Sequence, residues 1–198
     1  MRKLGLAVVA MLFGWSSAAS ANLLSNGSFE SPLGPSNWTS SWIAAGTPLG
    51  APTNQATDGS YDMHFGSGSN PQPPPHIISQ SFSTAPGQQY QLEFDYGAFG
   101  LAVPQYLQVS VLGQTSVLDI VVTHTPQTYP SHSWHTEILS FIADSSLSTL
   151  TFADAGDPWV GHSTDGVLDR VSIIPIPEPS TALLVGLGLT GLAARRRV

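Results

Sequence analysis

The sequence predicts an antiparallel β-sandwich, and three observations carry that expectation. Residues 90–96 alternate strictly: Tyr90, Leu92, Phe94 and Tyr96 point one way, and Gln91, Glu93 and Asp95 the other. That period of two marks a half-buried strand with a polar outer face. Short apolar segments recur about every ten residues between glycine and proline turns, as in all-β sandwiches. The body is rich in Ser, Thr, Gly and Pro, and no amphipathic helical pattern interrupts it.

The elements follow in chain order. Residues 1–21 read as a secretory signal, with basic Arg2 and Lys3, an apolar stretch over 4–15, and the small-residue cleavage site Ala19-Ser20-Ala21. The signal implies the Sec export machinery and a mature chain starting at Asn22. Weak strands are expected near 28–30, 42–45 and 61–65. Residues 77–84 are expected to join the 90–96 strand as a hairpin through the turn Ala85-Pro86-Gly87. Further strands are expected over 106–112, 117–122, 134–142, 149–153 and 167–174. Trp42, Phe94 and Trp134 are strand aromatics, expected in the core. Residues 66–75, with Pro73-Pro74-Pro75, and residues 125–133 read as loops.

Residues 22–174 have the length of one domain. Within 22–176 a single basic residue, Arg170, faces twelve acidic ones, a net charge of −11. Nucleic acid and anionic membrane surfaces both require basic patches, so neither suits this body as a ligand. The charge suits an extracellular, calcium-rich or polysaccharide-rich setting. There is no cysteine, hence no disulfide framework and no thiolate metal site.

Residues 175–198 are organised differently. Pro177-Glu178-Pro179 is followed by Ser180-Thr181, an apolar run over 182–194, and Arg195-Arg196-Arg197. As a helix the run spans about 20 Å, short of the ~30 Å hydrocarbon core of a bilayer. Gly186, Gly188 and Gly191 suit close helix contacts, and the arginines favour the cytoplasmic side. This order closely resembles the PEP-CTERM sorting signal of Gram-negative bacteria. The resemblance implies export, transient anchoring in the inner membrane by a short transmembrane helix, and processing near Pro177-Glu178-Pro179 by an exosortase-type membrane protease. The cell surface or an exopolysaccharide-rich extracellular matrix would then be the destination.

The body carries a second resemblance. Its residues are Asn22, Asn26-Gly27-Ser28-Phe29-Glu30, Trp38, Trp42, Gln55 to Tyr61, Ile78 to Phe82, Gly87 to Tyr90, Phe94-Asp95-Tyr96, Leu150-Thr151-Phe152 and Leu168-Asp169-Arg170-Val171. In this order they resemble the galactose-binding-like jelly rolls. That group includes many bacterial carbohydrate-binding modules and a plant cell-wall family of unknown function. The resemblance implies a structural Ca²⁺ between the first segment and the last strand. Glu30 and Asp169 match its carboxylate ligands, and backbone carbonyls near Ser28 and Gly59 could complete the shell. Two other readings stay open: solvated strand-end carboxylates, or an Asp169–Arg170 pair. Arg170 itself departs from the small polar residue these domains often carry there.

A glycan platform needs aromatic faces beside polar groups. Phe99, Tyr106, Tyr129 and Trp159 read as loop or rim aromatics, with His162 following Trp159. Trp159 is the best placed, on an Asp157-Pro158 turn between strands. Catalytic signals are weak. His132 and His135 lie in a loop entering a strand rather than on a helix that would aim both at a metal. Zinc-protease, nucleophile-elbow and phosphate-loop motifs are lacking. Glu93 and Asp95 share a strand face, which a polar outer surface explains better than glycoside hydrolysis. The expectation is a non-enzymatic, exported envelope or matrix protein that binds polysaccharide. Its alternative is a structural or adhesive protein that binds no sugar. A glycan-processing enzyme ranks last.

Overall fold

Alternation at the centre of the chain becomes register in three dimensions. The computed structural model describes residues 21–30, 37–40, 56–65, 77–100, 104–125, 127–128, 133–155 and 165–177. These residues hold ten strands: β1 (Thr39–Ser40), β2 (Met63–His64), β3 (Ile77–Ser83), β4 (Gln89–Gly100), β5 (Gln105–Leu112), β6 (Ser116–His124), β7 (Gln127–Thr128), β8 (Ser133–Ile142), β9 (Leu147–Asp154) and β10 (Asp165–Pro175). Among the described residues there is no helix long and apolar enough to cross a membrane. The expected signal segment over 1–20 and the tail from 178 lie outside them.

Two sheets face each other. The first runs β1-β3-β9-β5-β6; the second runs β2-β10-β4, with β8 and the short β7 also pairing β4. All pairs are antiparallel except β4 with β7. The strand at 90–96 sits centrally in the second sheet, between β10 and β8. Its Leu92, Phe94 and Tyr96 turn inward, at no more than 2 % exposure, against Val109, Val111, Leu150 and Phe152 of the first sheet. Phe94 and Phe152 meet edge to face across the sheets, centroids 5.1 Å apart, a preferred aromatic geometry.

The hairpin expected at 85–87 is not one. β3 belongs to the first sheet and β4 to the second, so this turn carries the chain from one sheet to the other. Phe82 and Tyr90 flank it and are both buried, which a connection around the edge of a shared core requires. The corner is held by the Ala85 N–H donating to the Tyr90 hydroxyl at 2.8 Å and by Gly87, whose φ of 85° suits glycine.

Residues 28–30 form no strand, because Asn26 and Phe29 take left-handed φ values of 52° and 56°. The first segment instead runs along β10 irregularly. Leu23 N donates to Ile173 O, Val171 N donates to Gly27 O, and the Asn22 side chain binds Val171 and Ile173. β2 pairs β10 only at 167–168. The switch of partners coincides with a bulge between Asp169 and Ser172, where Arg170 has φ 50°. A bulge re-aims side chains at its position, and here it re-aims those of the candidate site.

Candidate functional site

The outer face of the second sheet carries the densest chemistry among the described residues. Cross-strand partners share a face. Gly97 pairs with Val167 on one side and Trp134 on the other, and Val167 pairs with His64. The neighbouring row sets Asp169 beside Asp95 and Asp95 beside Thr136. Tyr96 and Ala98 on either side of Gly97 are buried in the core, so both rows look outward.

Trp134 was expected in the core and is instead half-buried on this outer face. The reason lies opposite it. A Cβ on Gly97 would stand 3.0 Å from Trp134 Cε3 and 3.0 Å from Val167 Cγ2. The indole therefore extends over a strip of bare backbone that any larger residue would occupy. Glycine inside a strand commonly marks such a close approach.

Arg170 anchors the polar half of the face. Its Nε donates to Asp95 Oδ2 and its Nη2 to Asp95 Oδ1, both at 2.9 Å, while Nη1 stands 2.8 Å from Glu93 Oε1. The bidentate fork is the strong form of this contact. Thr136 Oγ1 adds a donor to Asp95 Oδ1 at 2.7 Å. Burial alone would raise the Asp95 carboxyl, but hydrogen bonds from Arg170 and Thr136, with the guanidinium charge, hold it below the ordinary range. Arg170 is held above its own ordinary value, first by the hydrogen bond to Asp95. The open reading of an Asp169–Arg170 side-chain pair is thus resolved differently: the Arg170 side chain binds Asp95 and Glu93, and what Arg170 gives Asp169 is its backbone N–H, at 2.7 Å.

Glu30 and Asp169 grip a single turn, residues 57–61. Asp169 Oδ2 accepts the N–H groups of Thr57 (2.7 Å) and Asp58 (2.9 Å) and the Thr57 hydroxyl (3.1 Å). Glu30 Oε1 accepts those of Ser60 and Tyr61, each at 2.7 Å. Gly59 (φ 80°) lies under the Glu30 carboxylate, where a Cβ would collide with it. Asp169 is fully buried. Burial pushes its carboxyl up to about 6, against the hydrogen bonds from Asp58, Arg170 and Thr57. The first segment and the last strand are thereby stapled to the same turn.

A calcium ion at these carboxylates would have only what the staple leaves over. Glu30 Oε2 accepts nothing from a described residue, and Asp169 Oδ1 accepts a single N–H. Calcium takes about six to eight oxygens. No group of three or more His, Asp or Glu is gathered for a metal among the described residues, so backbone carbonyls such as those near Ser28 and Gly59 would supply the remainder.

The glycan residues read from sequence are dispersed. Tyr106 is a strand residue rather than a loop one: it lies on the outer face of the first sheet, 36 % exposed, paired with Thr123. Phe99 likewise belongs to β4 rather than a loop. Trp159, Tyr129 and His162 lie outside the described residues, as does His132. Sequence reasoning missed Trp134 and Arg170 as a pair, although each left a trace: a glycine within Tyr96-Gly97-Ala98, and a lone cation in an acidic body.

Comparisons agree with this architecture. TmCBM61, a carbohydrate-binding module solved in complex with β-1,4-galactotriose, superposes with a TM-score of 0.56 at 18 % identity, over 79 % of this chain and 100 % of that one. A CBM4 structure gives 0.51 at 18 %, over 77 % and 99 %. The K3 cleaved adhesin domain of Lys-gingipain from Porphyromonas gingivalis gives 0.51 at 17 %, over 78 % and 98 %. At these identities the likeness concerns the fold alone. No curated protein matches the chain. Residues 175–197 match the PEP-CTERM protein-sorting motif, which implies an exported, exosortase-processed surface protein. Residues 41–173 match the family described as protein of unknown function (DUF642). The chain therefore belongs to the DUF642 family and carries its β-sandwich ahead of a PEP-CTERM sorting tail.

Proposed function

We propose that this protein is a non-enzymatic component of the cell envelope or extracellular matrix that holds neutral polysaccharide on the outer face of its second sheet. The observation that carries this reading is Trp134 laid across Gly97 beside the Arg170–Glu93–Asp95 cluster. An indole offers a flat apolar surface for the C–H face of a pyranose, and a carboxylate–guanidinium pair offers acceptors and donors to adjacent hydroxyls. The cluster sums to one negative charge and the body to −11, so acidic glycans would be repelled.

A glycan array probed with the intact mature chain tests the proposal. Retention on neutral hexose or pentose polymers, with little on uronic-acid polymers, is the expected pattern. Binding to no carbohydrate class would favour the adhesive alternative, and release of shortened chains would favour an enzyme.

Calcium belongs to the same reading as a structural ligand of Glu30 and Asp169. An ion that binds only the folded state stabilises it by about 3 kcal/mol at ~100-fold over its dissociation constant. Metal-free protein should therefore melt at a higher temperature after calcium is added, and Asp169→Ala should lose that response. Identical melting in calcium and in chelator would remove the ion from the account and leave the hydrogen-bonded staple.

A further inference from the structure

The strand that ends the sandwich leads straight into the sorting tail. β10 closes at Pro175, inside the matched motif. Ile176 N donates to Gln89 O at 2.8 Å, and Gln88 Nε2 donates to Ile176 O at 2.7 Å. The chain is thus held to the domain up to the residue before Pro177. From Ile176 to Ala182, where the apolar run begins, a fully extended chain covers at most about 20 Å.

The end from which the tail leaves is built by turns that bind one another. Gly87 N donates to Ala143 O, Ala143 N to Gln88 O, and Thr84 N to Ser146 O. Asp144 accepts from the Gln114 and Thr115 N–H groups and from the Thr115 hydroxyl, at 2.7–2.9 Å. Three large aliphatic side chains border these turns: Leu112 at 56 % exposure, Ile142 at 59 % and Leu147 at 58 %. Residues 84–91, 111–118, 140–150 and 174–177, which form this end, contain one charged side chain, Asp144. Its carboxylate is committed to the three hydrogen bonds above. The other end of the sandwich, where β6 and β9 finish and β8 begins, carries His124, Asp154 and His135.

We propose that this end of the sandwich seats on the bilayer while the tail holds the chain there, with Leu112, Ile142 and Leu147 entering the headgroup–acyl boundary. The short tether brings the end to the membrane, and its near lack of charge lets it be desolvated there. The acidic body disfavours anionic lipid, so the occupant is a zwitterionic or neutral lipid surface. Exposed aliphatic side chains flanked by turns can enter such an interface by about 5–10 Å. The proposal rests on the tail acting as a membrane anchor.

The chain lacks cysteine, so single labels report cleanly. Leu112→Cys, Ile142→Cys, Leu147→Cys and, at the far end, Thr123→Cys would be made in the mature chain with its tail. Each would be labelled with a nitroxide and reconstituted into phosphatidylcholine vesicles. All four positions are exposed, and solution melting verifies that each variant folds. Labels at 112, 142 and 147 should collide with dissolved oxygen more than with an aqueous nickel chelate, at depths of about 5–10 Å. The label at 123 should behave as in water. Protein that floats with the vesicles while all four labels stay aqueous overturns the docking alone. Protein that fails to float overturns the anchor and the docking with it.

Discussion

Asp169→Ala should destabilise the domain by about 3–4 kcal/mol, seen as a lower urea midpoint at unchanged slope. The carboxylate is fully buried and accepts the backbone N–H groups of Thr57, Asp58 and Arg170. Each buried donor left without a partner costs about 1–3 kcal/mol. The loss is less than the sum, because removing the carboxylate also relieves its desolvation, the burden that raises its titration to about 6. Asp169→Asn should cost less, about 1–2 kcal/mol, since one oxygen can still accept from residues 57–58. A loss under about 1 kcal/mol for the alanine variant would return Asp169 to a solvated role.

Arg170→Met should cost about 2 kcal/mol, less than the ~3–5 kcal/mol typical of breaking a buried pair. The discount is for solvent: the Arg170 side chain is 40 % exposed, while that of Asp95 is 5 %. The loss arises mainly on Asp95, left charged and nearly buried with Thr136 as its remaining strong donor. Lysine should recover less than half, because an ammonium cannot donate in parallel to both Asp95 oxygens and also reach Glu93. In a double-mutant cycle, Arg170→Met should cost much less when Asp95→Asn is already present. Full rescue by lysine, or additive losses, would contradict the bidentate arrangement.

The core of this fold was legible because burial writes itself as alternation. Residues 90–96 turned the expected face inward, strands formed where 106–112 and 149–153 were expected, and the observed strands extend those ranges by a few residues at their ends. What alternation cannot state is which strand lies beside which. The turn at 85–87 looks the same in sequence whether it folds a hairpin or crosses between sheets; the choice depends on Phe82 and Tyr90 sharing a core. β1 spans two residues, too few to show a period. The first segment defeated the strand reading through left-handed backbone at Asn26 and Phe29.

The candidate site was legible only in part, for the same reason. The shared face of Glu93 and Asp95 followed from local spacing. Trp134 over Gly97, and Arg170 over Asp95, are products of register between strands distant in sequence and of one bulge. The convergence of Glu30 and Asp169 was expected from resemblance alone. The structure adds the turn at 57–61 and the N–H groups that bind it.

The claim that the second sheet's outer face holds neutral polysaccharide is tested most directly by affinity electrophoresis. Wild type, Trp134→Ala and Tyr106→Ala would be run through gels containing the neutral polymer best retained on the array. Tyr106 serves as the control, since it is exposed on the other sheet. Trp134→Ala should lose at least about 2 kcal/mol of binding, roughly a 30-fold weaker dissociation constant, with an unchanged melting curve. Tyr106→Ala should bind as wild type does. Retention equal to wild type for Trp134→Ala, together with loss for Tyr106→Ala, would contradict the account and move the binding face to the first sheet.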